Sequence, residues 1–291
     1  MSVVVTGATG HLGRLIVEGL LDAGVAPDEV VAGGRRTERL ADLADRGVRV
    51  ARVYYDEPAT LAAAFAGADM LVLVSGSEVG RRVPQHRAAV DAAREAGVRR
   101  VVYTSAPHAD TSTLVVAPEH KATEELLAAS GLVVTVLRNN WYTENYVPTL
   151  GQAAATGEVV GSAGDGRVAS ATRADFAAGV VAVVTGEGHD GRTYELSGDH
   201  AWTFDELAEA ASQVLGRPVT YRRVSADEQR AGLLAAGLDE GTVGFLVRMD
   251  QDVASGALAD ATDTLRTLLG RPTTPLADGL RAAWQTAADA S

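Results

Sequence analysis

From residue 3 to residue 137 the chain alternates short β-branched runs with longer stretches rich in alanine and leucine, and a glycine closes nearly every longer stretch. Few architectures tolerate that rhythm. Strands joined through helices run parallel, and a parallel sheet needs helices over both faces. Strands are expected near 3–6, 30–33, 48–53, 70–75, 98–105 and 132–137, with helices near 11–23, 37–45, 58–66, 81–96 and 118–130. Gly24, Gly47, Gly67, Gly97 and Gly131 stand where helix C-terminal stops belong. Six strands in this order form a doubly wound sheet over residues 1–138.

The rhythm changes after residue 138. "NNWYTENYVPTL" is polar and aromatic, and the glycine-rich, hairpin-like "GEVVGSAGDGRVASATRADFA" follows it. Residues 139–291 are therefore read as a smaller α/β, substrate-facing region, with part of 168–192 a candidate to return to the first domain. Three of its helix starts carry capping-box signatures: Thr172 with Asp175, Thr203 with Glu206, and Ser225 with Glu228. There is no internal repeat, low-complexity tract or flexible linker.

Composition narrows the function. No apolar run reaches the roughly 18 residues that suggest a bilayer span, so membrane insertion is not expected. "MSVVVTGATG" moves straight into a strand without a secretory pattern, which points to the cytoplasm. Zero cysteines exclude disulfides, thiolate metal sites and cysteine nucleophiles, and no histidine spacing suggests a metal. A formal charge of −12 with scattered arginines argues against nucleic acid as a partner.

The opening "VVVTGATGHLGRLI" places Gly7, Gly10 and Gly13 directly after a strand and at a helix start. Three glycines alone say little, but this setting supplies a mechanism. They permit a tight turn, close backbone approach to a pyrophosphate and close helix packing, with the helix dipole aimed at the phosphates. A Rossmann-type dinucleotide site is the expectation. The second strand ends "VVAGGRRTERL", with no acid before Glu38 to hold a ribose diol and with Arg35, Arg36 and Arg39 available to a 2′-phosphate. Arg35 is the best single choice, and NADPH is expected over NADH. Asp56, after the third strand, suits the adenine amino group and a helix cap before Pro58 equally well.

"TGATGHLG", "YTSAPHADTS", "LRNNWYTENY" and "AGDGRVASATRADFA" together resemble the NmrA-like group of atypical short-chain dehydrogenases, nearest its quinone-reductase and triphenylmethane-reductase branch. The resemblance runs over nearly the whole chain. It implies an NADPH-binding oxidoreductase without flavin or metal that passes hydride directly to a small quinone or other flat aromatic acceptor. By position it implies a phosphate loop of Gly7, Thr9, Gly10, His11, Leu12 and Gly13, with Arg35 at the 2′-phosphate. It puts Ser75, Gly76 and Ser77 along the ribose and diphosphate, and Asn139 to Tyr142 beside the nicotinamide and acceptor. It also keeps open a different class, an NADP(H)-binding redox sensor that turns nothing over. Monomer and homodimer are both compatible with the sequence.

The wider superfamily delivers a proton from Tyr-x-x-x-Lys, with the lysine one helical turn beyond the tyrosine. Here "VVAPEHKATEELL" puts Val116 near the tyrosine position and His120 near the lysine position. His120 is a candidate to bond the nicotinamide ribose; Lys121 is read first as an exposed partner of Glu125. Tyr103, inside a strand, reads as a core residue. Trp141, Tyr142 and Tyr146 follow the sixth strand and are candidate substrate contacts; Asn139 and Asn140 could donate hydrogen bonds to an oxyanion or simply shape a turn. A missing phenol suits quinones: the hydroquinone anion has a phenol-like pKa of about 10, so water can protonate it.

Overall fold

In the computed structural model, which describes residues 1–76, 78 and 80–289, the strands along the chain are β1 (Val3–Val5), β2 (Val30–Gly34), β3 (Arg49–Arg52), β4 (Met70–Leu73), β5 (Arg100–Ser105), β6 (Val133–Asn139), β7 (Glu158–Gly161), β8 (Arg167–Val168), β9 (Thr193–Leu196), β10 (Trp202–Thr203) and β11 (Thr220–Arg223). The helices are α1 (His11–Asp22), α2 (Ala41–Asp45), α3 (Pro58–Phe65), α4 (Arg82–Glu95), α5 (Ala117–Ala128), α6 (Val147–Thr156), α7 (Arg173–Thr185), α8 (Phe204–Leu215), α9 (Ala226–Ala235), α10 (Glu240–Ala254), α11 (Thr264–Leu269) and α12 (Leu276–Asp289). Among the described residues no helix is long and apolar enough to cross a membrane.

Met1–Asp110, Val116–Asn139 and Arg173–Leu196 form one compact unit. Its sheet has seven strands in the order β3-β2-β1-β4-β5-β6-β9, every neighbouring pair parallel. The strand order reverses between β1 and β4, so the loops leaving their carboxyl ends diverge and open a crevice, the usual ligand position in open parallel sheets. Valine and leucine of β1, β4, β5 and β6 pack against α3, α4 and α5 in a core that includes Leu61, Phe65, Leu71, Leu73, Val101 and Tyr103. α7 buries Phe176, Val180, Val181, Val183 and Val184. It lies so close to α1 that a Cβ on Gly19 would sit 2.9 Å from Val181 Cγ2.

Two sequence expectations need correction in this unit. The sheet has a seventh strand, β9, and residues 37–45 are a 3-10 turn (Thr37–Leu40) followed by the short α2 rather than one helix. The five glycine stops do adopt positive φ, between 72° and 90°.

Thr111–Val115, Asn140–Thr172 and Ser197–Ser291 form the second unit. Residues 158–168 are not a hairpin: β7 pairs in parallel with β11, and β8 pairs antiparallel with β10. The bend between β7 and β8 uses Gly164 at φ 58°, and Gly166 packs so tightly that a Cβ there would lie 2.5 Å from the Val253 carbonyl. The capping boxes of Thr203 with Glu206 and Ser225 with Glu228 both form, opening α8 and α9.

Candidate functional site

The turn leaving β1 is shaped by its glycines. Gly7 has φ 65°, Gly10 donates its N–H to the Gly7 carbonyl at 2.8 Å, and Ala8 donates to the Gly33 carbonyl at 2.9 Å. A Cβ on Gly13 would fall 2.4 Å from Gly7 O and 2.6 Å from Gly7 C, so only glycine lets α1 approach this turn. Gly34 is constrained likewise, because a Cβ there would lie 2.5 Å from Thr9 Cγ2. Gly10 caps α1 without a side-chain bond, and the first turn of α1 carries no acid. Its unpaired N–H groups and dipole therefore favour an anion. His11 is exposed at the helix start, whereas Leu12 is buried, so Leu12 can offer a ligand only its backbone.

The loop after β4 forms the facing wall, with a Cβ on Gly7 lying 3.5 Å from Val74 Cβ. Its backbone N–H groups are held by side chains: Val74 donates to Thr6 Oγ1 at 3.1 Å, Ser75 to Thr104 Oγ1 at 3.0 Å, and Gly76 to His86 Nε2 at 3.0 Å. Arg82 Nε donates to the Gly76 carbonyl at 2.8 Å. The backbone amides of Ser75 and Gly76 are thus already engaged by side chains of the protein. Ser77 lies outside the described residues.

These anchors were invisible to motif reasoning, although Arg82 and His86 share one face of α4 at i,i+4. Because His86 Nε2 accepts a bond, its proton sits on Nδ1, which donates to Thr123 Oγ1 at 3.0 Å; Thr123 donates onward to the Glu119 carbonyl at 2.9 Å. Burial and the nearby Arg82 charge lower the His86 pKa to about 3, so the ring is neutral.

The carboxyl ends of β2 and β3 carry the other cofactor candidates. Arg35 is exposed and its Nη1 donates to Glu78 Oε1 at 2.7 Å. Asp56 does not cap α3, whose N-cap is Glu57; it pairs instead with Arg81 Nη2 at 2.7 Å.

Val116 ends the turn before α5 and supplies no proton. His120 is buried, with Nδ1 2.8 Å from the Tyr103 hydroxyl, and its pKa is lowered to about 3 by burial, with the charge of Arg82 adding to it. Tyr103 is fully buried, its pKa raised by desolvation. It is a core residue that also orients the histidine. Lys121 donates to the Asp110 carbonyl at 3.2 Å rather than pairing with Glu125. Beside them Arg138 meets Glu124 in a bidentate pair at 3.0 and 2.6 Å and reaches Asp110 and Glu195 at 2.8 and 2.9 Å, while Ser105 Oγ donates to Glu124 at 2.5 Å. Asn139, the last residue of β6, is buried.

In the second unit, two sequence assignments change. Asn140 Nδ2 faces the carbonyls of Leu258 and Asp260, both at 3.4 Å, and Oδ1 accepts from the Trp141 N–H at 2.6 Å. With both amide hydrogens so directed, it shapes the turn rather than offering a donor to an oxyanion. Tyr146 is not a substrate contact but an aromatic core residue, 5.0 Å from the Trp202 ring and 6.1 Å from the Phe204 ring in edge-on contact. Trp141 and Tyr142 are half-buried, with Tyr142 bridged to Ala171.

A glycine-shaped anion cradle at the switch point of a parallel sheet defines a dinucleotide-binding protein. Residues 7–187 match the NAD(P)H-binding family. The chain belongs to that NmrA-like family. It is 44% identical to quinone oxidoreductase 2 of Escherichia coli (strain K12), covering 96% of this chain and 97% of the relative. The crystal structure of the NADPH-dependent quinone oxidoreductase from E. coli complexed with NADPH superposes with a TM-score of 0.92 at 43% identity, covering 96% of this chain and 99% of that one. Triphenylmethane reductase of Citrobacter sp., complexed with NADP(H), gives a TM-score of 0.92 at 36% identity, covering 97% and 100%.

Proposed function

We propose that this chain is an NADPH-dependent reductase of quinones and similar flat electrophiles, working without flavin and without a Tyr-x-x-x-Lys proton relay. The observation that carries the reading is the full-length similarity to E. coli quinone oxidoreductase 2. The local chemistry agrees with it. The cradle fits a dinucleotide, since a side chain at Gly13 would collide with the backbone of Gly7. No acid stands between the end of β2 and Glu38, and the guanidinium of Arg35, next after β2, has the chemistry to pair with a 2′-phosphate.

When bound, NADPH supplies the hydride. The chain's own contribution is binding, orientation and exclusion of water. The turn from Gly7 to Gly13 would hold the pyrophosphate through the backbone N–H groups not already given to Gly33 and Gly7, as those of Ala8 and Gly10 are, and Ser75 and Gly76 would border the ribose. His120, held through Nδ1 by Tyr103, would be the residue to bond the nicotinamide ribose. Trp141 and Tyr142 offer aromatic faces to a flat acceptor. The hydroquinone anion takes its proton from water, which is why Val116 is compatible with turnover.

The test is loss of NADPH absorbance on adding benzoquinone. A saturable rate well above the uncatalysed one supports the reading. Tight NADPH binding with no rate above background, for quinones and cationic dyes alike, would make the chain a redox sensor instead.

A further inference from the structure

Four charges of alternating sign link the two outer cofactor candidates. Arg35 Nη1 meets Glu78 Oε1 at 2.7 Å, Glu78 Oε2 lies 3.5 Å from Arg81 Nη1, and Arg81 Nη2 meets Asp56 Oδ2 at 2.7 Å. Gln85 Nε2 also donates to Glu78 Oε2, at 3.1 Å. We propose that Glu78 is a cofactor-specificity residue: its carboxylate stands in for the 2′-phosphate on Arg35 and must yield that guanidinium when NADPH binds.

This rests on the assignment of Arg35 to the 2′-phosphate, and the sign follows from charge alone. A phosphate arriving at Arg35 meets a carboxylate already on the same cation. Either the carboxylate leaves, losing its ion pair, or it stays and repels the phosphate. Both outcomes weaken NADPH, whereas NADH brings a neutral 2′-hydroxyl and leaves the pair intact. Leaving is practicable because Glu78 Oε2 keeps Arg81 and Gln85 as partners. Arg35 is freely reached from solvent, its side chain 60% exposed. The residue therefore narrows the discrimination that Arg35 creates, and an ion pair this exposed sets the size of the effect at about two- to fivefold.

The experiment measures dissociation constants of NADPH and NADH by fluorescence titration for the wild type, Glu78→Gln, Glu78→Ala and Arg35→Ala. Both Glu78 variants are expected to bind NADPH about two- to fivefold more tightly with NADH unchanged, and added salt should shrink the gain. Arg35→Ala should lose the NADPH preference, and Glu78→Ala added to it should then have no effect on either cofactor. If Arg35→Ala removes the preference but the Glu78 variants leave NADPH unchanged or bind both cofactors more weakly, the proposal falls while the Arg35 assignment stands. If Arg35→Ala leaves the preference intact, the assignment falls too.

Discussion

His86 makes acid sensitivity a local property with a calculable size. Its Nε2 accepts from the Gly76 N–H at 3.0 Å and its Nδ1 donates to Thr123 at 3.0 Å, so protonation would set two N–H groups head to head in a fully buried place. The folded pKa is about 3 against an unfolded value of about 6.5. Between those values the unfolded chain binds the extra proton. The stability due to the neutral ring is therefore complete above the unfolded pKa and is lost as pH falls from 6.5 toward 3. At pH 5 the unfolded histidine lies about 1.5 units below its pKa, which at 1.36 kcal/mol per unit makes the loss about 2 kcal/mol. His120, also buried with a pKa of about 3, adds a similar amount. The assay is urea unfolding at pH 7.5 and pH 5 for the wild type and His86→Gln, whose amide oxygen can accept from Gly76 without titrating. Carboxylates titrate in both proteins and cancel in the difference. The variant should lose about 2 kcal/mol less than the wild type over this interval. Equal losses, within about 0.5 kcal/mol, would refute the buried neutral tautomer.

Two further substitutions separate roles. Gly13→Ala forces a Cβ to within 2.4 Å of Gly7 O, so the phosphate turn must shift; NADPH affinity should fall at least about tenfold and stability by about 1–3 kcal/mol, measured by fluorescence titration and thermal unfolding. Tyr146→Ala should cost about 3–5 kcal/mol because it empties the space beside Trp202, while Tyr146→Phe should leave the KM for quinone within about twofold. A large KM change in the phenylalanine variant would return Tyr146 to the acceptor site.

The signals that could be read from the chain were those with a short period or a fixed steric demand. Strands β1, β2 and β4 are apolar runs buried along their length, and Gly7, Gly10 and Gly13 answer backbone geometry that no side chain can imitate. Strand β9 escaped because only Leu196 of its four residues is buried, so "TYEL" shows no core-strand pattern. Tyr146 was misassigned because its partners, Trp202 and Phe204, arrive more than fifty residues later and nothing local announces them. Asn140 likewise gives its amide to carbonyls at 258 and 260, a bond that only the tertiary fold brings about. The second wall of the crevice was missed for the same reason: Thr6 after β1, Thr104 of β5, and Arg82 and His86 of α4 come from three separate parts of the chain and converge on three consecutive residues.

That convergence bears on how such a site could accelerate a reaction. The polar groups nearest the crevice in the first unit are committed to holding its walls, and those with shifted pKa values move out of the working range. His86 and His120 titrate near 3, and the Tyr103 phenol is pushed upward by burial. None of these three exchanges a proton with substrate at neutral pH, and on the function proposed above the chain contributes orientation and dehydration, neither of which titrates. A relay built on a tyrosine and lysine behaves differently, since its rate follows the ionisation of the acid. Turnover with a saturating quinone should therefore be flat in kcat from about pH 6 to about pH 9, and any decline below that range should track unfolding by circular dichroism. A kcat limb between pH 6 and pH 9 in folded enzyme would reveal a titrating donor and overturn the claim that water protonates the product.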